Sequence, residues 1–179
     1  INLSFGNILT KDLLNQVIGY YKDFNPDMIF IISGVNDCRP EAFRENEKKF
    51  FLNLFFFKYL KKILFHPILI RFRNITRSNP LQFKRSLSLF KKIFSKSEIY
   101  FFEICAGINY DKIRPGFDKK KYIFNNIAQE IFNENFIKVE KELYNKNGFL
   151  PDDLHFNNNG HKIIYGQIHS LICDSKKKY

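Results

Sequence analysis

Residues 28–37 have the sequence MIFIISGVND, an uninterrupted apolar run that ends at Ser33 and then turns polar. A short continuous run of large apolar residues is typical of a strand covered on both faces, as in a parallel sheet. Residues 99–105 (IYFFEIC) form a second run of this kind, and residues 136–139 form a shorter one. The opening residues 1–5 are predicted to be the end of a further strand. These runs indicate a parallel sheet with at least one buried central strand.

The segments between the runs carry apolar residues at helical spacing. We predict five helices, and their starts are Thr10 as a cap, Pro40, Asn79-Pro80, Asp118 and Asn158 or Asn159. The second helix is expected to run to about Phe65, where His66-Pro67 ends it. The fourth helix is expected to bury one apolar stripe: Tyr122, Ile123, Ile127 and Ile131. Strands that alternate with helices predict right-handed crossovers and a three-layer α/β/α sandwich.

The length of 179 residues and the mass of 21.5 kDa fit a single domain, which we place at residues 1–179. A hydrophobic fraction of 45% with 26% charged residues excludes disordered and collagen-like classes. No run of eighteen apolar residues lacks a charge, which argues against a conventional transmembrane helix. Three distant cysteines make neither a disulfide framework nor a zinc ligand set, so we expect no metal and no cofactor.

The net charge of +11 is concentrated in one segment. Residues 39–97 contain 15 Lys and Arg against three Glu, whereas the rest of the chain has 14 bases and 15 acids. This segment is also rich in Phe and Leu, and we interpret it as a basic, aromatic-rich helical insertion. It could pack against the sheet, form a lid, or lie in the plane of an anionic membrane surface, where residues 50–57 are apolar nearly all round. No nucleic-acid module is recognisable, so nucleic acid is not an expected partner.

Polar residues follow the apolar run at residues 28–33 and precede the last helix. Active residues in parallel sheets collect on loops at the carboxyl ends of strands. Asn36 can offer an amide donor to an oxyanion at such an edge. An Asp three residues before a His, as in Asp152 and His155, can hold one ring nitrogen and leave the other to act as general base. Turn chemistry alone could also account for each motif.

Together these motifs resemble the SGNH, or GDSL-like, hydrolases. Gly34-Val35-Asn36-Asp37 is similar to the family's third sequence block, and Asp152 with His155 to its last. The resemblance implies a flavodoxin-like sheet, Asn36 as an oxyanion-hole donor, Asp152 as orienting acid and His155 as base. Residues 2–7 resemble the second block, which implies a backbone N–H donor at Gly6, with Asn7 as the alternative.

The family's first block, Gly-Asp-Ser with the nucleophile, has no counterpart here. Ser4 and Ser33 lie in or at the end of predicted strands, and the other serines fall in the basic segment or near the C-terminus. We therefore expect an N-terminally incomplete chain that is almost inert alone, its first strand and serine lying upstream. A member that has lost its nucleophile is the other interpretation. His66, His161 and His169 are interpreted as structural or solvent-facing.

The resemblance implies a serine-type ester hydrolase acting on a small-molecule, glycan or lipid ester. An O-acyltransferase, or a nucleophile-less module that binds an acidic glycan or lipid, is the alternative. The substrate and the compartment stay open at this stage.

Overall fold

The computed structural model describes residues 8–52 and 66–176. In chain order its helices and strands are α1 (Thr10–Tyr21), β1 (Met28–Ile31), α2 (Val35–Cys38), β2 (Pro40–Glu41), α3 (Glu45–Leu52), α4 (Pro67–Arg73), β3 (Ile75–Thr76), α5 (Pro80–Ile93), β4 (Glu98–Phe102), α6 (Tyr110–Ile113), α7 (Phe117–Phe132), β5 (Phe136–Ile137), α8 (Glu140–Asn145) and α9 (Asn158–Lys176). The predicted strand at residues 1–5 and the predicted donors Gly6 and Asn7 lie outside the described residues.

The described residues form a mixed α/β fold around a three-stranded parallel sheet. Strand β4 is central, pairing with β1 from Met28–Glu98 to Ile31–Phe101 and with β5 at Phe101–Phe136. The strands predicted from the three apolar runs are confirmed, although each is shorter than its run. Long connections carrying helices are what parallel strands require.

Alternate side chains of the sheet enter two separate apolar clusters, as the twofold period of a strand requires. One cluster joins Ile31, Ile99 and Phe101 to residues of α1, α5 and α7. The other joins Phe102 and the partly buried Phe30 to residues of α8 and α9. Both sides of the sheet are therefore covered by helices, which explains why its strands are apolar without alternation.

The helix predicted from Pro40 to about Phe65 is wrong at its start. Pro40 instead begins β2, which pairs antiparallel with β3, and the helix starts only at Glu45. Proline suits an edge strand as well as a helix start, because neither position needs its missing N–H. The side chain of Glu41 is buried among the bases Arg39, Lys48 and Arg77, and these ion pairs support the two-stranded sheet. Residues 53–65 lie outside the described residues.

The two proline signals further along mark helix starts. His66 caps α4, its ring nitrogen accepting a hydrogen bond from the N–H of Ile68. Asn79 caps α5 in the same way through the N–H of Leu81. His66-Pro67 therefore begins a helix. The helix end predicted at this point lies outside the described residues.

The stripe predicted to be buried on α7 is wrong by about one residue position. The buried stripe consists of four apolar residues and one base: Phe117, Lys121, Phe124, Ala128 and Phe132. Tyr122 and Ile123 are exposed, whereas Ile127 and Ile131 pack at the cluster's margin. Lys121 tolerates burial because its ammonium pairs with Asp118 and Glu140. Within the described residues, no helix combines the length and apolarity needed to cross a bilayer.

Candidate active site

The loop that holds Asp152 and His155 is closed at its base. Phe149 and Phe156 form an antiparallel bridge, and the N–H of Leu150 donates to the carbonyl of His155 at 2.8 Å. Asn157 reinforces the base by donating its amide to the carbonyl of Phe149 at 2.9 Å. The residues between the two phenylalanines are consequently held as a compact turn before α9.

Asp152 and His155 are hydrogen-bonded within this turn. The Nδ1 atom of His155 lies 2.6 Å from Oδ2 of Asp152. The other carboxylate oxygen accepts the N–H groups of His155 and Leu154, each at 3.0 Å. The hydrogen bond from the His155 ring, together with the two from the backbone, lowers the pKa of Asp152 to about 2. Asp152 is thus a carboxylate at neutral pH, and Nδ1 of His155 is the donor.

The pair is accessible to a ligand. The side chain of His155 is 70% exposed and that of Asp152 is 48% exposed. When Nδ1 donates to the carboxylate, Nε2 of a neutral ring carries the free lone pair. Nε2 of His155 is therefore available to take a proton from a group that approaches from solvent.

Asn36 lies on α2, directly after the end of β1. The chain turns there at Gly34, whose φ of 111° is one that L side chains rarely adopt. The amide nitrogen of half-buried Asn36 lies 3.3 Å from the carbonyl oxygen of Ile8 and donates to it. An amide has two N–H hydrogens, so this bond leaves one for another acceptor. The donor groups of Asn36 therefore lie near the segment that precedes α1.

Residues 103–107, which follow β4, connect the Asn36 loop to the His155 loop. A Cβ atom on Gly34 would lie 2.4 Å from Cδ1 of Ile104, so the backbone approaches that side chain closely. The N–H of Gly107 donates to the carbonyl of Asp153 at 2.7 Å, and the Asp153 side chain covers the face of Gly107. One loop after β4 thus contacts Gly34, two residues before Asn36, and Asp153, which lies between Asp152 and His155.

Asn125 holds the loop after β4, a role that the sequence did not reveal. It lies on α7, and its side chain bonds both backbone groups of Ile104, accepting from the N–H at 2.8 Å and donating to the carbonyl at 2.9 Å. Its partner is 21 residues away. No local pattern in the sequence marks Asn125 for this role.

Asp37 has a structural role that sequence analysis also missed. Its carboxylate is fully buried and accepts the N–H and the hydroxyl of Thr10 at 2.9 and 2.7 Å. Burial raises the pKa of Asp37 despite these bonds and the nearby Arg77. The prediction that Thr10 caps α1 is therefore wrong, because its hydroxyl fastens the helix start to α2.

Ser33 and Ser78 are described serines that lie near α2. The hydroxyl of Ser33 lies 2.8 Å from the hydroxyl of Thr10, and Ser78 is buried.

His161 packs its ring edge-on to Phe156, and His169 lies beside Tyr165. These contacts fit the structural interpretation of both histidines.

A groove of about 600 Å³ lies between α8 and α9, away from the residues above. Both polar and apolar groups line it, and they come from Glu142, Lys146, Asn159, Lys162, Ile163, Gly166 and Gln167. None of Asn36, Asp152 and His155 lines it. Among the residues that the structure describes, no group of three or more His, Cys, Asp or Glu is placed to hold a metal ion.

Comparisons with known proteins do not assign a family. No protein-family model matches the chain, and no curated protein matches its sequence.

Proposed function

We propose that this protein is a serine-type ester hydrolase of the SGNH, or GDSL-like, kind, in which His155 is the general base. The observation that supports this most directly is the 2.6 Å contact between His155 Nδ1 and Asp152 Oδ2 in an exposed turn. The carboxylate orients the ring and stabilises the imidazolium that forms when Nε2 takes a proton. Acyl transfer to a serine then needs no further base.

Asn36 is the proposed oxyanion-hole donor. It follows β1 at the carboxyl end of that strand, and a side-chain amide there can stabilise the negative charge of a tetrahedral intermediate. One such donor is typically worth about 3 kcal/mol of transition-state stabilisation. The family resemblance implies a second donor, the backbone N–H at Gly6 or Asn7, and both residues lie outside the described ones.

The finer fold proposal is a three-layer sandwich with a flavodoxin-like sheet. The order β1-β4-β5 agrees with the run 3-4-5 in the flavodoxin-like order 2-1-3-4-5. The predicted strand at residues 1–5 would supply position 2. We propose that position 1, with the nucleophilic serine in its following turn, belongs to sequence upstream of Ile1.

The test is turnover of p-nitrophenyl acetate by the protein extended upstream through a Gly-Asp-Ser turn. His155→Ala should lower kcat/KM by at least about 10³-fold, since loss of the base disables the nucleophile. His169→Ala is the matched control, because it removes another exposed histidine and should leave turnover unchanged. Equal losses in the two variants would contradict the assignment of the base.

The alternatives make different predictions. An O-acyltransferase would require His155 but would favour an added alcohol over water as acceptor. A binding module without a nucleophile would have no serine in the upstream turn and no activity that depends on His155. The hydroxyl of Ser33 contacts that of Thr10. This contact is compatible with a nucleophilic serine upstream and also with a protein that has no nucleophile.

A further inference from the structure

Helix α4 exposes two large apolar side chains to solvent. Ile70 is fully buried and anchors the helix, whereas Ile68 is 73% exposed and Phe72 is 86% exposed. Residues four apart lie on the same helix face. Ile68 and Phe72 therefore form one apolar patch on successive turns, a feature that marks interaction surfaces more often than an isolated exposed residue does.

The chain segment that carries this patch is basic. Arg71 is exposed beside Phe72 on α4. Only three acids occur among residues 39–97, against 15 bases. Glu41 is buried against Arg39 and Lys48, and Glu47 pairs with Arg73 at 2.8 Å. Two of the three acids are therefore already occupied by bases of the same segment.

We propose that α4 docks on an anionic lipid bilayer through a surface formed by Ile68, Arg71 and Phe72. Apolar side chains on one short amphipathic element can enter the boundary between headgroups and acyl chains, while adjacent bases contact anionic headgroups. Neither insertion of the apolar side chains nor attraction to anionic headgroups alone gives firm attachment, and this surface combines the two. This docking does not depend on the proposed hydrolase activity.

Charge favours a lipid surface over a second copy of this chain. Two copies that met through α4 would bring two basic segments together, and like charges repel. An anionic bilayer instead complements Arg71 and the excess of bases in this segment. The inner leaflet or any other phosphatidylserine-containing surface has the required charge.

The experiment is vesicle co-sedimentation of the 179-residue chain. The probes are vesicles of phosphatidylcholine alone and of an equal mixture of phosphatidylcholine and phosphatidylserine. We expect binding to the mixed vesicles that weakens as salt shortens the Debye length from about 10 Å at 0.1 M to about 3 Å at 1 M. Phe72→Ala should weaken binding about tenfold, since burial of a Phe side chain corresponds to at least that factor.

Leu89→Ala on α5 is the matched control, because Leu89 is 51% exposed and lies on another helix of the same basic segment. Leu89→Ala should leave vesicle binding unchanged. Neither Phe72→Ala nor Leu89→Ala should change the melting temperature. Arg71→Gln should weaken binding to the mixed vesicles alone. Equal binding to both vesicle types, or equal effects of Phe72→Ala and Leu89→Ala, would overturn the proposal. So would a chain that binds no vesicle but forms a dimer that Phe72→Ala disrupts in sedimentation velocity.

Discussion

The carboxyl groups of Asp37 and Asp152 have opposite pKa shifts because their surroundings differ. Asp152 is exposed, and hydrogen bonds from the ring and backbone of His155 stabilise its charged form. Asp37 is fully buried, and loss of hydration raises its pKa more than the bonds from Thr10 lower it. Asp152 is therefore suited to stabilise a developing positive charge, whereas Asp37 is suited to fasten α1 to the end of β1.

Asp37→Asn should change the pH dependence of stability. The asparagine can still accept the hydrogen bonds of Thr10, but it does not titrate. Burial raises the pKa of Asp37 in the folded state. Its contribution to the unfolding free energy is therefore fully present below the unfolded-state pKa of about 3.9, and it is lost as the pH rises through the folded-state pKa. The unfolding free energy of the wild type minus that of the variant should therefore fall with rising pH. Urea unfolding at a series of pH values measures this difference.

Glu142→Gln provides a control of opposite sign. The exposed Glu142 carboxylate has a pKa lowered mainly by its hydrogen bond from Lys146. Its contribution is present above the ordinary pKa and is lost as pH falls, so the corresponding difference should rise with pH. If the Asp37→Asn difference also rose with pH, the buried position of the Asp37 carboxyl would be wrong.

At the scale of elements, the loop after β4 contacts both segments that carry the candidate site residues. It contacts Gly34 on one side through Ile104 and Asp153 on the other through Gly107. Helix α7 holds this loop through Asn125. A helix that packs in the core therefore positions the connection between the proposed oxyanion donor and the proposed base.

Asn125→Ala should destabilise the fold by about 1–3 kcal/mol. The backbone N–H and carbonyl of buried Ile104 would lose their partners, and an unsatisfied buried polar group costs about that much. The matched control is Asn126→Ala, one position along the same helix on its exposed side, which should change stability by about 0.5 kcal/mol or less. Denaturant unfolding measures both. Equal effects would show that Asn125 does not hold the loop.

For the whole molecule, the sequence was most informative where burial is two-sided. The run at residues 28–33 is apolar without alternation because helices pack against both faces of β1, and this predicted a parallel arrangement directly. The spacing of Asp152 and His155 was also informative, because three residues in a turn suffice for the carboxylate to reach the ring. Local patterns with one dominant solution were predictable.

Features that depend on distant residues could not be predicted in the same way. On α7 two neighbouring stripes both have helical spacing, and the structure buries the one with phenylalanines, helped by the partners of Lys121. Pro40 fits a helix start or an edge strand, and the pairing with Thr76 decides between them. The roles of Asp37 and Asn125 depend on partners 27 and 21 residues away.

The tautomer of the His155 ring shows whether Asp152 holds His155 as a base. Nitrogen-15 NMR of the 179-residue chain, at a pH where the ring is neutral, distinguishes a proton on Nδ1 from one on Nε2. We expect the Nδ1–H form in the wild type, with Nε2 unprotonated, and loss of that preference in Asp152→Ala. A wild-type ring protonated mainly on Nε2, with no change in Asp152→Ala, would contradict it.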